Sequence, residues 1–220
     1  MHRETFALGE GIYLLNHSVG RPPRSAETAA RSGFFEPWQT GAAEPWPAWF
    51  AAVDRFRTAV ASLLNSAADN VCPQANLSSA LTKIVHSLPR RAGRDTIVHT
   101  EADFPSMGFV FAIAGRAGFR LRCIPGSADF GTLDCWESAL DDDCCLALVT
   151  HVHSNTSRKV PVADICRLAQ DRGIMSVVDV AQSAGIVPID VRRWDADFVI
   201  GSCVKFLCGG PGAGFLWVND

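Results

Sequence analysis

"ADFVIGSCVKFLCGGPGAGFLWV", residues 196–218, sets one lysine in a stretch of apolar and small residues. An apolar run leads into Lys205, a glycine-rich turn follows it, and "GFLWV" then reads as a second buried strand. The nearest acidic residue in sequence is Asp197. Lysine is seldom placed in such surroundings without a partner or a task.

Outward from this stretch the chain alternates. "SSALTKIVHSL" (78–88) has helical spacing, 95–100 reads as a strand, and 105–118 as a helix closed by glycine. Residues 119–125 read as a strand, 132–140 as a helix and 144–152 as a strand. "PVADICRLAQDRG" (161–173) is a helix with proline near its start and glycine at its end. Strands follow at 174–180, 196–202 and 214–218. Such alternation predicts an α/β fold, three-layer α/β/α with a mostly parallel sheet covered on both faces. Ahead of it, residues 1–45 read as an N-terminal arm. The arm holds a short strand-like run in "GIYLLNHSVGRPP" (11–23) and a modest helix over 24–35. An amphipathic helix over 46–65 opens the main domain, 46–220.

Composition narrows the function. The formal net charge is −3, which gives no pull toward nucleic acid or an anionic membrane. No apolar run reaches the length of a membrane span, and "MHRETFALGE" lacks the apolar core of a signal peptide, so a cytoplasmic protein is expected. The eight cysteines form no CxxC pair and are expected to be reduced. "HVH" at 151–153 puts two imidazoles on one face of a strand. Without a clear third ligand the expectation is that no metal is bound.

In parallel sheets ligands bind outside the carboxyl ends of the strands. Thr150 and Asp179 end strands, Lys205 lies just past one, and Ser78 opens a helix, so all four are expected at one edge. Taken alone, Asp179 is as well read as a turn aspartate, and Lys205 as a lysine snorkelling to the surface. Together they suit pyridoxal 5′-phosphate. That cofactor needs an amine of depressed pKa for a Schiff base and an anion beside its ring nitrogen. It also needs helix-start amides and hydroxyls for its phosphate, which "NLSSAL" offers through Ser78 and Ser79.

The segment "VVDVAQSAGIVPIDVRRWDADFVIGSCVKFLCGGPGAGFLWV" resembles the core of the class V aminotransferase superfamily of pyridoxal-phosphate enzymes. It is most similar to the kynureninase and isopenicillin N epimerase-like branch, and the likeness runs back through "THVHSNTSRKVPVADI", "DFPSM" and "NLSSAL" to "IYLLNHSVG". The resemblance implies that Lys205 carries the Schiff base and Asp179 pairs with the pyridine nitrogen. It places Gln182 near the phenolic oxygen, Phe104 against the ring and Thr150 beside the cofactor. Ser78 and the Leu77 backbone form the phosphate cup with Ser202, and Ser18 approaches the substrate.

Val204 stands where relatives carry Tyr or His, and Met107 where the kynureninase pattern has Asp, so kynureninase activity proper is less expected. The resemblance further implies an amino-acid substrate, a homodimer in the complete form, and a C-terminal small domain that this chain lacks. Without that domain, Lys205 is expected in an open cleft, solvated and with a nearly free-lysine pKa. The alternative is a catalytically silent relative acting as a binding or assembly subunit.

Overall fold

A computed structural model of the 220-residue chain describes residues 3–40 and 43–219. Seven strands form one sheet: β1 (Val71–Gln74), β2 (Thr96–Thr100), β3 (Arg120–Ile124), β4 (Cys144–Thr150), β5 (Met175–Asp179), β6 (Phe198–Ser202) and β7 (Gly214–Val218). Their order is β1-β7-β6-β5-β4-β2-β3. The five strands from β6 to β3 pair in parallel, while β7 runs antiparallel to both of its neighbours.

The central strands are apolar throughout because helices cover both faces. Alternation along each strand splits its side chains between two cores. Ala147, Val149, Val178 and Val199 join one core, with Leu64 of α3 (Trp46–Leu64), Trp136 of α6 (Asp134–Ala139) and Ile165 of α7 (Val162–Asp171). Leu146, Leu148, Val177 and Ile200 join the other, with Leu81 and Ile84 of α4 (Leu77–Ser87) and Phe111 of α5 (Pro105–Arg116). This is the three-layer α/β/α arrangement expected. Strand ends are in register where it matters: Thr150 lies opposite Asp179, and Asp179 opposite Ile200.

The N-terminal segment differs from expectation. Residues 11–23 contain no strand; a turn at 16–19 and one isolated bridge, Phe6 to Pro23, shape the backbone instead. Its apolar side chains Ile12, Leu14 and Leu15 are exposed, so no sheet face organises them. The helix expected over 24–35 continues further, as α1 (Ser25–Ala30), a five-residue π turn (Arg31–Phe35) and α2 (Glu36–Thr40). What extends it is aromatic packing. Phe34 stacks on Trp49 of α3 at 5.4 Å between ring centroids, and Trp38 meets Trp49 edge-on at 6.2 Å. Trp38, Trp46 and Phe50 remain largely exposed on this cluster.

Between β6 and β7 the chain turns through residues 203–213. Backbone bonds hold the loop: Cys203 N–H to Ala213 O at 2.9 Å, Gly209 N–H to Cys203 O at 2.8 Å and Cys208 N–H to Lys205 O at 3.1 Å. Beneath it Gly201 lies against the Phe215 ring, where an added Cβ would come within 2.1 Å of the ring carbons. Gly201 is therefore required by packing, whereas Gly210 and Gly212 supply the positive φ of the turn.

Candidate active site

The carboxyl edge of the sheet opens into a cavity of about 450 Å³. Its walls come from six places in the sequence. Asn76, Leu77 and Ser78 begin α4, Phe104 immediately precedes α5, Thr150 and Asp179 end β4 and β5, Gln182 follows β5, and Ser202 and Lys205 follow along β6 and its loop. His17 and Ser18 come from the N-terminal segment. The nine residues that the resemblance assigns to the site line one space, whereas Ser79, also offered for the phosphate, does not.

Asp179 lies at the cavity floor with 4% exposure. One carboxylate oxygen accepts the Ala181 N–H at 2.8 Å, and among the described residues no hydrogen bond engages the other. Burial pushes its pKa up to about 6, against the pull of the Ala181 N–H and the Lys205 ammonium, with Asp103 adding repulsion. Lys205 is half-buried, with Nζ 5.2 Å from the Phe104 ring centroid. The expectation of a solvated lysine is corrected here. Burial draws its pKa below the ordinary value, and Asp179 only partly opposes that.

The other polar groups are already oriented. Asn76 caps α4 by accepting the Ser79 N–H at 2.9 Å, which fixes Ser79 within the cap. The Leu77 and Ser78 amides, at the positive end of an eleven-residue helix, have no intrahelical acceptor. Thr150 Oγ1 donates to Asp103 at 2.6 Å. Gln182 Nε2 donates to the His17 carbonyl at 3.2 Å, tying the N-terminal segment to the site. That segment is seated again at Gly20, whose N–H donates to Val204 O at 2.8 Å. A Cβ at Gly20 would stand 2.0 Å from the Lys205 carbonyl oxygen.

The two imidazoles of "HVH" are taken up otherwise. His151 Nδ1 bonds Ser183 Oγ at 2.9 Å and its ring meets Trp194 edge-on at 4.7 Å. His153 Nδ1 bonds Ala102 O at 3.3 Å. Among the described residues no group of three His, Cys, Asp or Glu side chains is arranged to hold a metal ion. No helix there is long and apolar enough to cross a membrane.

Sequence reasoning missed Asn76, His17 and Asp103. The first was legible as a helix cap before "LSSAL". The other two act through tertiary contacts that no local pattern announces.

A doubly covered, mostly parallel sheet with a lysine, a buried carboxylate and a helix start at its carboxyl edge defines a cofactor-binding α/β protein. The family model "Aminotransferase class-V" matches residues 48–220, and the chain belongs to that family. Pyridoxal 5′-phosphate is the family's cofactor, as the resemblance implied. The kynureninase of Burkholderia mallei (strain SAVP1) is 32% identical over 229 residues, covering 98% of this chain and 53% of the relative. A cysteine desulfurase from Thermococcus onnurineus NA1, solved in its apo form, superposes with a TM-score of 0.83 at 25% identity, over 99% of this chain and 56% of that one. A C-DES mutant, with glycine covalently linked to its PLP cofactor, shares the fold with a TM-score of 0.90 at 22% identity, over 99% and 59%. The chain spans about half the length of the curated relatives it matches.

Proposed function

We propose that this chain forms the cofactor-binding part of a pyridoxal-phosphate enzyme acting at Cα of an amino acid, with Lys205 as the amine that carries the cofactor. The observation behind this reading is the placing of Lys205, Asp179 and Phe104 around one cavity. The fit is chemical as well as spatial. A volume of about 450 Å³ suits a small substituted ring. Asp179 keeps one carboxylate oxygen without a hydrogen bond among the described residues, and the α4 start offers amides that have no intrahelical acceptor.

When bound, pyridoxal phosphate supplies an electron sink for negative charge at the carbon beside the substrate nitrogen. Asp179 holds a proton at the ring nitrogen. The Leu77 and Ser78 amides, with the Ser78 and Ser202 hydroxyls, take the phosphate. Phe104 provides a flat apolar wall that excludes water from one face. The Lys205 amine, its pKa drawn down by burial, moves the Cα proton as base and then acid. Gln182 and Thr150 orient groups at the ring edge, and Ser18 meets the substrate.

Transamination, racemisation and lyase outcomes share that proton transfer. The kynureninase relatives bring the lyase outcome forward, while buried Met107 places a thioether where the kynureninase pattern has a carboxylate. A homodimer of the complete protein is part of the proposal, supported by the exposed Trp38, Trp46 and Phe50 rings. The test is to add pyridoxal phosphate, reduce with borohydride and map the labelled peptide. Label on Lys205, lost in K205A, is the expected result. Label elsewhere refutes the site, and no label favours the silent binding subunit.

A further inference from the structure

Asp103 is not part of the cavity wall, yet its carboxylate is the most heavily bonded acid beside it. Oδ1 accepts the Thr150 hydroxyl at 2.6 Å and Oδ2 accepts the Thr100 N–H at 2.7 Å. Thr100 ends β2 and Thr150 ends the adjacent strand β4. One carboxylate therefore clamps two neighbouring strand ends. Its own N–H returns to Thr100 O at 3.3 Å, closing a tight turn. The next residue is Phe104, which caps the start of α5 and stands beside Lys205.

We propose that Asp103 is a positioning residue for the candidate site: it turns the lone pairs of the Thr150 hydroxyl toward the cavity and pins the turn that presents Phe104. An ionised carboxylate has none to give, so the Thr150 hydroxyl must spend its only one on Asp103. What Thr150 keeps for the cavity is acceptor capacity, fitted to an N–H or O–H of the bound molecule. Oδ2 is already an acceptor for Thr100. A proton on Asp103 would therefore sit on Oδ1, reverse the Thr150 bond and turn a donor into the cavity. The charge on Asp103 thus sets which kind of group the site accepts at that point.

The titratable groups facing Asp103 are His153 beyond β4, Asp179 at the end of β5 and Cys123 on β3. Glu101 precedes it in the same turn, with its carboxylate taken by the Gly126 N–H at 2.6 Å. Burial pushes the Asp103 pKa upward, and the Thr150 and Thr100 bonds hold it back. Asp103 in turn repels Asp179.

The consequence for the cofactor rests on the reading above, but the clamp is testable without it. The full chain, cofactor-free and carrying aspartate labelled with carbon-13 at the side-chain carboxyl, is titrated by NMR. D103N and D179N assign the two resonances. D103N should lower the Asp179 midpoint from about 6, because a like charge is removed. T150V should raise the Asp103 midpoint, and T150S should restore it. An Asp179 midpoint unmoved in D103N, or an Asp103 midpoint unmoved in T150V, overturns the proposal. With pyridoxal phosphate added, T150V should displace the absorbance maximum of the Lys205-linked adduct and T150S should restore it; an unmoved maximum also overturns it. Failure to form any adduct in wild type would sink the cofactor reading and leave the two midpoints where they are.

Discussion

Asp179→Asn should make the cofactor-free protein more stable while weakening its capture of pyridoxal phosphate. The carboxyl titrates at about 6 in the fold against 3.8 for the ordinary group, chiefly because it is buried. Below 3.8 both folded and unfolded states hold the proton, and burial of the charge costs nothing. As pH rises through that value the unfolded chain releases its proton first, and native stability falls. Above 6 the penalty is complete. About two pH units at about 1.4 kcal/mol each gives ~3 kcal/mol. The replacing amide still accepts the Ala181 N–H through its oxygen, so the one bond Asp179 makes is kept. The gain expected at pH 8 is about 2–3 kcal/mol, or roughly 5–10 °C in the thermal midpoint of a domain this size. At pH 3.5 the gain should vanish. Calorimetry of both proteins across that range, beside borohydride trapping at Lys205, is the assay. Equal midpoints at pH 8, or a gain that ignores pH, would refute the claim that Asp179 is held charged against its surroundings.

Two further outcomes are expected. Gly20→Ala forces a methyl to within 2.0 Å of the Lys205 carbonyl; it should unseat the N-terminal segment, quicken tryptic cleavage after Arg24, and lower the Lys205 adduct yield, and unchanged cleavage would show the contact to be slack. His151 is held near a pKa of about 4 by burial, with Lys159 adding repulsion, so it should withdraw up to ~3 kcal/mol as pH falls from 6.5 toward 4; urea midpoints of His151→Phe, which keeps the edge-on contact with Trp194, should fall less between pH 7 and 5, and an equal fall would place the acid sensitivity elsewhere.

The parallel core was legible because β4, β5 and β6 are apolar runs separated by helix-length segments. Their carboxyl ends, and with them the cavity, followed from alternation alone. β1 escaped notice for an equally physical reason. It is four residues long, contains Pro73, and pairs only with β7, so no period-2 pattern develops. The strand read into residues 11–23 failed because an apolar run alone does not make one: this run pairs with no strand, and Ile12, Leu14 and Leu15 stay exposed. Asp103 was invisible for another reason. Its partners are Thr100, nearby in sequence, and Thr150, brought close only by the pairing of β2 with β4.

The bond from Gln182 to His17 spans 165 residues. During synthesis at ~5–20 residues per second, the N-terminal segment emerges roughly 10–30 s before its partner exists. Throughout that interval Ile12, Leu14 and Leu15, exposed even in the finished fold, have no sheet to shelter beside. Gly20 likewise waits for its acceptor until Val204 has been made. A nascent chain stalled before Lys205 would carry the floor of the pocket without its front wall, leaving these side chains for a chaperone to hold.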